Sequence, residues 1–74
     1  MQEFFEGLAE ILEIDVALVT PELHLQDYAW DSLAVVSTMA LVDDIFSVML
    51  DGQSLSKCLS VADIVALIEG ARKD

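Results

Sequence analysis

Apolar residues recur at helical spacing in three separate parts of the chain. The first runs from Gln2 to Leu12, where apolar side chains share one face and glutamates occupy the other. The second runs from about Ser32 to Ser47 and contains a long stretch without a charge, a glycine or a proline. The third begins after Ser60, which has the spacing of a capping box with Asp63. These patterns predict three longer helices.

The segments between these helices have a different pattern. From Ile14 to Tyr28 the helical period is lost, which predicts a long loop between the first two helices. A turn at Asp51-Gly52 precedes a short third helix, predicted from Ser54 to Leu59. The residues expected to attach the long loop to the bundle are Ile14, Val19, Leu23 and Leu25. The fold class is therefore all-α.

Two glycines bear on the ends and the stability of these helices. Gly7 lies inside the first helix, where it costs up to ~1 kcal/mol relative to alanine, so tertiary packing must hold that helix. Gly70 is predicted to end the last helix.

The second helix carries two apolar stripes on roughly opposite sides. The predicted core stripe consists of Val35, Met39, Val42 and Phe46. The second stripe consists of Leu33, Val36 and Ala40, and it is flanked by Asp43 and Asp44. The same neighbours cannot bury both stripes. The second stripe is thus a set of ordinary exposed apolar residues, a face covered by the fourth helix, or a docking surface. Its position beside Ser32 favours docking.

Charge and composition limit the kinds of partner. The chain has 3 Lys and Arg against 14 Asp and Glu, a formal net charge of −11. This charge repels nucleic acids and anionic membrane surfaces and attracts basic proteins. With 55% hydrophobic residues, the chain is too apolar for a disordered acidic tail, and its 74 residues predict a single domain over 1–74.

The sequence gives little support for a disulfide, a metal site, a secretory signal or a membrane span. The one cysteine, Cys58, cannot form an internal disulfide and is predicted to be a core side chain. His24 stands alone, so no metal site is predicted. The amino terminus lacks the pattern of a secretory signal, and no apolar run approaches the ~18 residues that span a bilayer. We therefore expect a cytoplasmic protein without a membrane span.

The most informative residues are Asp31 and Ser32, where the loop meets the second helix. Asp31 is a residue type that caps helices, so Ser32 falls in the first turn. Backbone N–H groups there have no intrahelical partner, and the helix dipole favours a negative group. A phosphorylated or phosphopantetheinylated serine suits this position, although most Asp-Ser pairs only cap a helix.

The chain as a whole resembles an acyl carrier protein. The motifs that carry the resemblance are Asp31-Ser32-Leu33 near the middle of a very acidic chain, Ser60-Val61-Ala62-Asp63-Ile64 near its end, Leu12-Glu13-Ile14-Asp15, Thr20-Pro21-Glu22 and Phe46. The resemblance implies a four-helix bundle of three longer helices and a short third helix, with 4′-phosphopantetheine attached to Ser32 beside Asp31. One difference is that Ala29 stands where the family usually has glycine, followed by a bulky Trp30.

The resemblance also implies the partners. They are a phosphopantetheinyl transferase and acyl-loading, condensing and acyl-transfer enzymes with basic docking surfaces, and the carrier itself is expected to be a monomer. The positions they would recognise are Leu33, Val36, Ala40, Asp43 and Asp44. Two further positions that are often acidic in the family are Ala34 and Ser37 here, so electrostatic recognition is expected to be weaker.

Several functions stay open at this point. An enzyme is disfavoured because Ser32 lacks a Gly-x-Ser-x-Gly elbow and the chain has a single histidine, so we predict no catalytic residues. The resemblance implies a discrete carrier for fatty acid, polyketide or specialised lipid biosynthesis. A peptidyl, aryl or D-alanyl carrier is an alternative. A further alternative is an acidic helical adaptor in which Ser32 is never modified.

Overall fold

The computed structural model describes residues 1–72 and contains four α-helices. They are α1 Gln2–Leu12, α2 Ser32–Phe46, α3 Gly52–Ser56 and α4 Val61–Ala71. Two short 3₁₀ turns, Val16–Leu18 and Leu25–Asp27, interrupt the long loop between α1 and α2. The predicted all-α bundle with a short third helix is confirmed. The single domain predicted over 1–74 extends past the described residues and stays a prediction.

Helix α1 packs closely on α2 because Gly7 has no side chain. A Cβ placed on Gly7 would lie 2.5 Å from Cδ1 of Leu41, much closer than two carbons can approach. The helix propensity lost at this glycine is thus offset by a close approach between helices. The rings of Phe4 and Phe46 also meet across this interface, with their centroids 6.3 Å apart.

The core lies between the three longer helices and α3. Its fully buried apolar side chains are Phe4, Leu8, Leu25, Val42, Leu55, Val61, Ile64 and Ile68. The predicted core stripe of α2 is confirmed at Val35 and Val42, whereas Met39 and Phe46 are only partly buried against the core.

The buried side of α2 also includes polar and small residues that the apolar pattern did not identify. Thr38 is fully buried, and its hydroxyl donates a hydrogen bond of 2.8 Å to the carbonyl of Ala34. That bond satisfies the hydroxyl, so the residue is tolerated in the core.

The long loop is held against the start of α4 by backbone hydrogen bonds. The N–H of Leu25 donates to the carbonyl of Leu59 at 3.0 Å, and the N–H of Val61 donates to the carbonyl of Leu23 at 3.2 Å. The N–H of Ala62 donates to the carbonyl of Pro21 at 3.0 Å. The loop therefore pairs with amides that the first turn of α4 cannot satisfy itself. Of the four residues expected to attach the loop, Val19, Leu23 and Leu25 are buried and Ile14 is partly buried.

Three predicted helix boundaries were wrong. Helix α3 begins at Gly52 instead of Ser54 and ends at Ser56. Leu59, predicted as its last residue, lies outside the helix and accepts a hydrogen bond from the N–H of Leu25 in the loop. Helix α4 continues through Gly70 to Ala71. Gly70 has no positive φ and a Cβ there would meet nothing within 4 Å, so nothing in its surroundings requires a helix end. The predicted capping box of Ser60 and Asp63 is present.

Candidate attachment site

Ser32 is the first residue of α2 and is exposed to solvent. Asp31 caps the helix: its Oδ1 accepts a hydrogen bond of 2.9 Å from the N–H of Ala34. The predicted cap is thus confirmed, and the carboxylate of Asp31 faces the backbone of the first turn. Because α2 has 15 residues, its amino-terminal end presents a developed dipole to a group on Ser32. An exposed hydroxyl at this end fits the attachment of a phosphate-linked group.

The residue before the cap is tied to α3. The indole Nε1–H of Trp30 donates a hydrogen bond of 3.3 Å to the carbonyl of Leu55, and the ring is half-buried. The backbone N–H of Trp30 donates to the carbonyl of Tyr28 at 2.8 Å, which makes a tight turn before Asp31. The sequence identified Trp30 as unusual, but the pattern did not indicate which element the indole would contact.

A groove of about 340 Å³ lies beside Ser32, between α2 and α3. Its lining includes Trp30, Ser32, Val35, Val36, Met39 and Gly52. At Gly52 a Cβ would lie 3.3 Å from Sδ of Met39, so the start of α3 approaches α2 closely. The lining is mainly apolar, and the attachment serine lies at its edge. A group attached to Ser32 therefore has an apolar surface within immediate reach.

The second stripe of α2 is open to solvent. Leu33 is 74% exposed and Val36 is 60% exposed, and Ala40 is exposed as well. Asp43 and Asp44, which flank the stripe, are also exposed. All five residues thus lie at the surface of α2, as the helical periodicity predicted, with Leu33 next to Ser32.

Two neighbouring positions differ from the expectation for a docking surface. Ala34 is only 5% exposed, so its side chain faces the bundle and does not belong to the surface that includes Leu33. Ser37 is half-buried. The sequence analysis also did not single out Met49, which lies just beyond α2 and is 77% exposed.

Cys58 lies away from this site and is 6% exposed, which confirms its prediction as a core side chain. Burial, with a smaller contribution from the nearby carboxylate of Asp63, raises the pKa of its thiol to about 11. The thiol therefore stays protonated at neutral pH and is a poor nucleophile. Its Sγ donates to the carbonyl of Ser54 at 3.4 Å.

Residues 1–72 contain neither a metal-binding cluster nor a membrane-spanning helix. Within that range, no group of three or more His, Cys, Asp or Glu side chains is arranged to hold a metal ion. None of the helices there has both the length and the apolar character needed to cross a membrane.

Comparison with known proteins identifies the family. The family model for the phosphopantetheine attachment site matches residues 2–68. The chain belongs to the phosphopantetheine-binding family of acyl carrier proteins. An acyl carrier protein of Helicobacter pylori (strain G27) is 36% identical over 63 residues, which cover 84% of this chain and 81% of the relative. An acyl carrier protein of Beutenbergia cavernae is 32% identical, covering 96% of this chain and 93% of the relative.

A third relative has a more specific name. The meromycolate extension acyl carrier protein of Mycolicibacterium aurum is 36% identical over 73 residues, covering 92% of this chain and 75% of the relative. Together these matches show that the chain is a carrier protein rather than an enzyme. They also show that its prosthetic group is 4′-phosphopantetheine and that it interacts with acyl-handling enzymes.

Proposed function

We propose that the chain is a discrete acyl carrier whose phosphopantetheine arm is attached to Oγ of Ser32. The observation that supports this most directly is the exposed Ser32 hydroxyl at the first position of a helix of 15 residues capped by Asp31. Attachment would form an Oγ–P bond while the pyrophosphate P–O bond of coenzyme A breaks, releasing adenosine 3′,5′-bisphosphate and the Oγ proton. The resulting phosphodiester would lie at the favourable end of the helix dipole. When attached, the group supplies a thiol that holds acyl intermediates as thioesters.

The residues around Ser32 have separate roles in this proposal. Asp31 holds the first turn of α2 in place through its bond to Ala34, so the hydroxyl is presented at a fixed position. The second stripe supplies apolar contact area to an incoming enzyme, and Asp43 and Asp44 attract basic side chains at its edge. We include the transferase and the acyl-loading, condensing and acyl-transfer enzymes among the partners that use this surface.

We assign the carrier to a specialised acyl pathway rather than to general fatty acid synthesis. Two observations support this assignment: Ser37, half-buried on α2, carries no acid, and the half-buried Trp30 precedes Asp31. The relative named for meromycolate extension shows that the family includes such carriers. Exchange of acyl groups with general fatty acid enzymes at the same rate as a housekeeping carrier would argue against it.

We also place the carrier in the cytoplasm. An arm that ends in a thiol works only where thiols stay reduced, and the cytosol maintains that condition. Fractionation of cells producing the tagged protein should recover it, with its arm, in the cytosolic fraction. Recovery outside the cytosol would contradict this location.

The decisive experiment is the mass of the intact protein after incubation with coenzyme A, Mg²⁺ and a broad-specificity phosphopantetheinyl transferase. We expect a single phosphopantetheine increment, and no increment on Ser32→Ala. Ser56→Ala is the matched control, because Ser56 is an exposed serine lining the same groove. That variant should be modified like the unaltered chain. An increment that survives in Ser32→Ala would disprove the assigned attachment site.

The exposure of Leu33 and Val36 also favours a second candidate, an acidic helical adaptor that binds a partner helix without modification. No increment with several transferases, on a chain shown to be folded, would support that candidate. The same mass analysis on protein isolated from cells distinguishes an acyl load from the amino-acid or aryl load of a peptidyl, aryl or D-alanyl carrier.

A further inference from the structure

Residues 25–30, which lead into α2, are held to a distant part of the chain at both ends. At the start of this entry segment, the N–H of Leu25 donates to the carbonyl of Leu59 at 3.0 Å. At its end, the indole Nε1–H of Trp30 donates to the carbonyl of Leu55 at 3.3 Å. The entry segment is therefore bonded to residues at and just beyond the end of α3, and the indole bond is made by the second residue before Ser32.

The acceptor of the indole bond is held firmly in place. The side chain of Leu55 is fully buried, so its backbone is anchored by the core. Its carbonyl oxygen also accepts a hydrogen bond of 3.0 Å from the N–H of Cys58. A carbonyl oxygen has two lone pairs, so it can serve both donors. The indole is thus tied to a fixed point on a helix other than α2.

The indole bond acts on Ser32 through the backbone between them. The backbone N–H of Trp30 donates to the carbonyl of Tyr28, and the carboxylate of Asp31 accepts from the N–H of Ala34. The first turn of a helix frays most readily, because its amides lack intrahelical partners. A buried indole N–H usually finds an acceptor, so the bond alone is ordinary. Its position is informative, because it connects the start of α2 to α3.

We propose that Trp30 is a positioning residue for the modification of Ser32. Its bond to Leu55 keeps the first turn of α2 closed, so that the Ser32 hydroxyl meets the transferase in one orientation. This inference rests on the proposed function, because Ser32 is the hydroxyl to be modified. Trp30 acts through the backbone of Asp31, which it holds at the start of the helix.

A positioning role predicts a particular change in the kinetics of modification. Removing the indole N–H leaves the exposed Leu33 and Val36 in place, so KM for the carrier should stay the same. Fewer bound complexes should hold Ser32 in the reactive orientation, so kcat should fall. The loss of one ordinary hydrogen bond corresponds to a roughly two- to tenfold lower kcat. A purely structural role would lower the free energy of unfolding and leave kcat of the folded protein unchanged.

The test removes the indole N–H and keeps the ring. The chain contains one tryptophan, so production with a tryptophan analogue changes position 30 alone. Benzothienylalanine has a sulfur atom in place of the N–H and nearly the same shape as tryptophan. A fluorinated tryptophan is the matched control, because it enters the chain in the same way and keeps the N–H. The mass increment from coenzyme A, followed over time at several concentrations of unmodified carrier, gives kcat and KM.

The benzothienyl protein should show a kcat roughly two- to tenfold lower at an unchanged KM. The fluorinated protein should match the unaltered chain in both constants. Circular dichroism establishes that both proteins are folded. Equal kcat values in the two folded proteins would overturn the inference. A higher KM at an unchanged kcat would overturn it as well, because Trp30 would then be a docking contact.

Hydrogen exchange on the unaltered protein is a second test, which needs no replacement of Trp30. If the indole bond holds the first turn of α2 closed, one local opening should release the indole N–H and the amide of Ala34 together. Both should then show similar protection. An indole N–H that exchanges freely while the Ala34 amide is protected would overturn the inference and leave the carrier function intact. Failure of the transferase to modify the unaltered chain would instead overturn the proposed function and the inference with it.

Discussion

The two sides of α2 have similar apolar composition and opposite environments. On one side, Val35 and Val42 are at most 6% exposed and face α1 and the core. On the other side, Leu33 is 74% exposed and Val36 is 60% exposed, although both are apolar like the buried valines. The buried side stabilises the bundle, and the exposed side leaves apolar area available to a partner beside Ser32. Hydrophobicity alone therefore does not determine the role of a residue in this helix.

A carboxylate introduced on each side of α2 gives the largest expected difference in the free energy of unfolding. Val42→Asp buries an unpaired carboxylate and should lower the free energy of unfolding by about 4 kcal/mol or more. Val36→Asp places the carboxylate in solvent and should change the free energy of unfolding by no more than about 0.5 kcal/mol. Urea unfolding followed by circular dichroism measures both. Equal losses in the two variants would mean that the two sides do not differ as described.

A methyl group tests how tightly the buried side packs against α1. Gly7→Ala adds up to ~1 kcal/mol of helix propensity, but its Cβ would lie 2.5 Å from Cδ1 of Leu41, so the Leu41 side chain must shift and oppose that gain. Gly70→Ala is the control within α4, where a Cβ meets nothing within 4 Å, and it should stabilise by about 0.5–1 kcal/mol. Thermal unfolding should show that Gly7→Ala is less stable than Gly70→Ala by about 1–3 kcal/mol. An equal gain in both variants would exclude the close helix approach.

Truncation on the exposed side should affect docking rather than folding. Leu33→Ala removes apolar contact area next to Ser32 and should lower kcat/KM for the transferase by about tenfold, the equivalent of ~1.4 kcal/mol. Its unfolding curve should match that of the unaltered chain. Leu18→Ala, an exposed leucine of the loop, serves as control and should leave kcat/KM unchanged. An unchanged rate with Leu33→Ala would remove the second stripe from the docking surface.

Neutralising the acids beside the second stripe should have the smallest effect on kcat/KM for the transferase. Asp43→Asn with Asp44→Asn should lower kcat/KM for the transferase a few-fold at low salt, because exposed charges mainly accelerate encounter. The difference should disappear near 1 M salt, where the Debye length is ~3 Å. A rate difference that persists at high salt would indicate a direct contact instead of long-range attraction.

The sequence predicts most of this arrangement because helical periodicity and capping are local properties. The cap at Asp31, the exposure of Leu33 and Val36 and the burial of Val42 follow from residue type and spacing. Ala34 and Thr38 are different, since small and polar side chains carry little hydrophobic signal, and only the position of α1 shows that they are buried. The exact lining of the groove beside Ser32 does not follow from local pattern for a similar reason: Trp30, which lines it, bonds to Leu55, 25 residues away.

Residue type alone does not set the helix ends that were predicted wrongly. Gly70 is a residue type that often ends helices, but α4 continues to Ala71 because nothing around Gly70 requires a left-handed residue. Leu59 lies outside α3, and its carbonyl accepts a hydrogen bond from the distant Leu25. Such a pairing is absent from any local window of sequence.

The pairing of residues 21–25 with residues 59–62 has a consequence for folding kinetics. Most contacts in a helical bundle are local and form early, whereas this pairing must close a long segment of chain. The first amides of α4 donate hydrogen bonds to loop carbonyls. Detaching that helix would therefore leave the helix amides and the loop carbonyls without hydrogen bonds together. We therefore expect the loop and α4 to exchange their amide hydrogens as one cooperative unit, with similar protection at Leu25 and Val61.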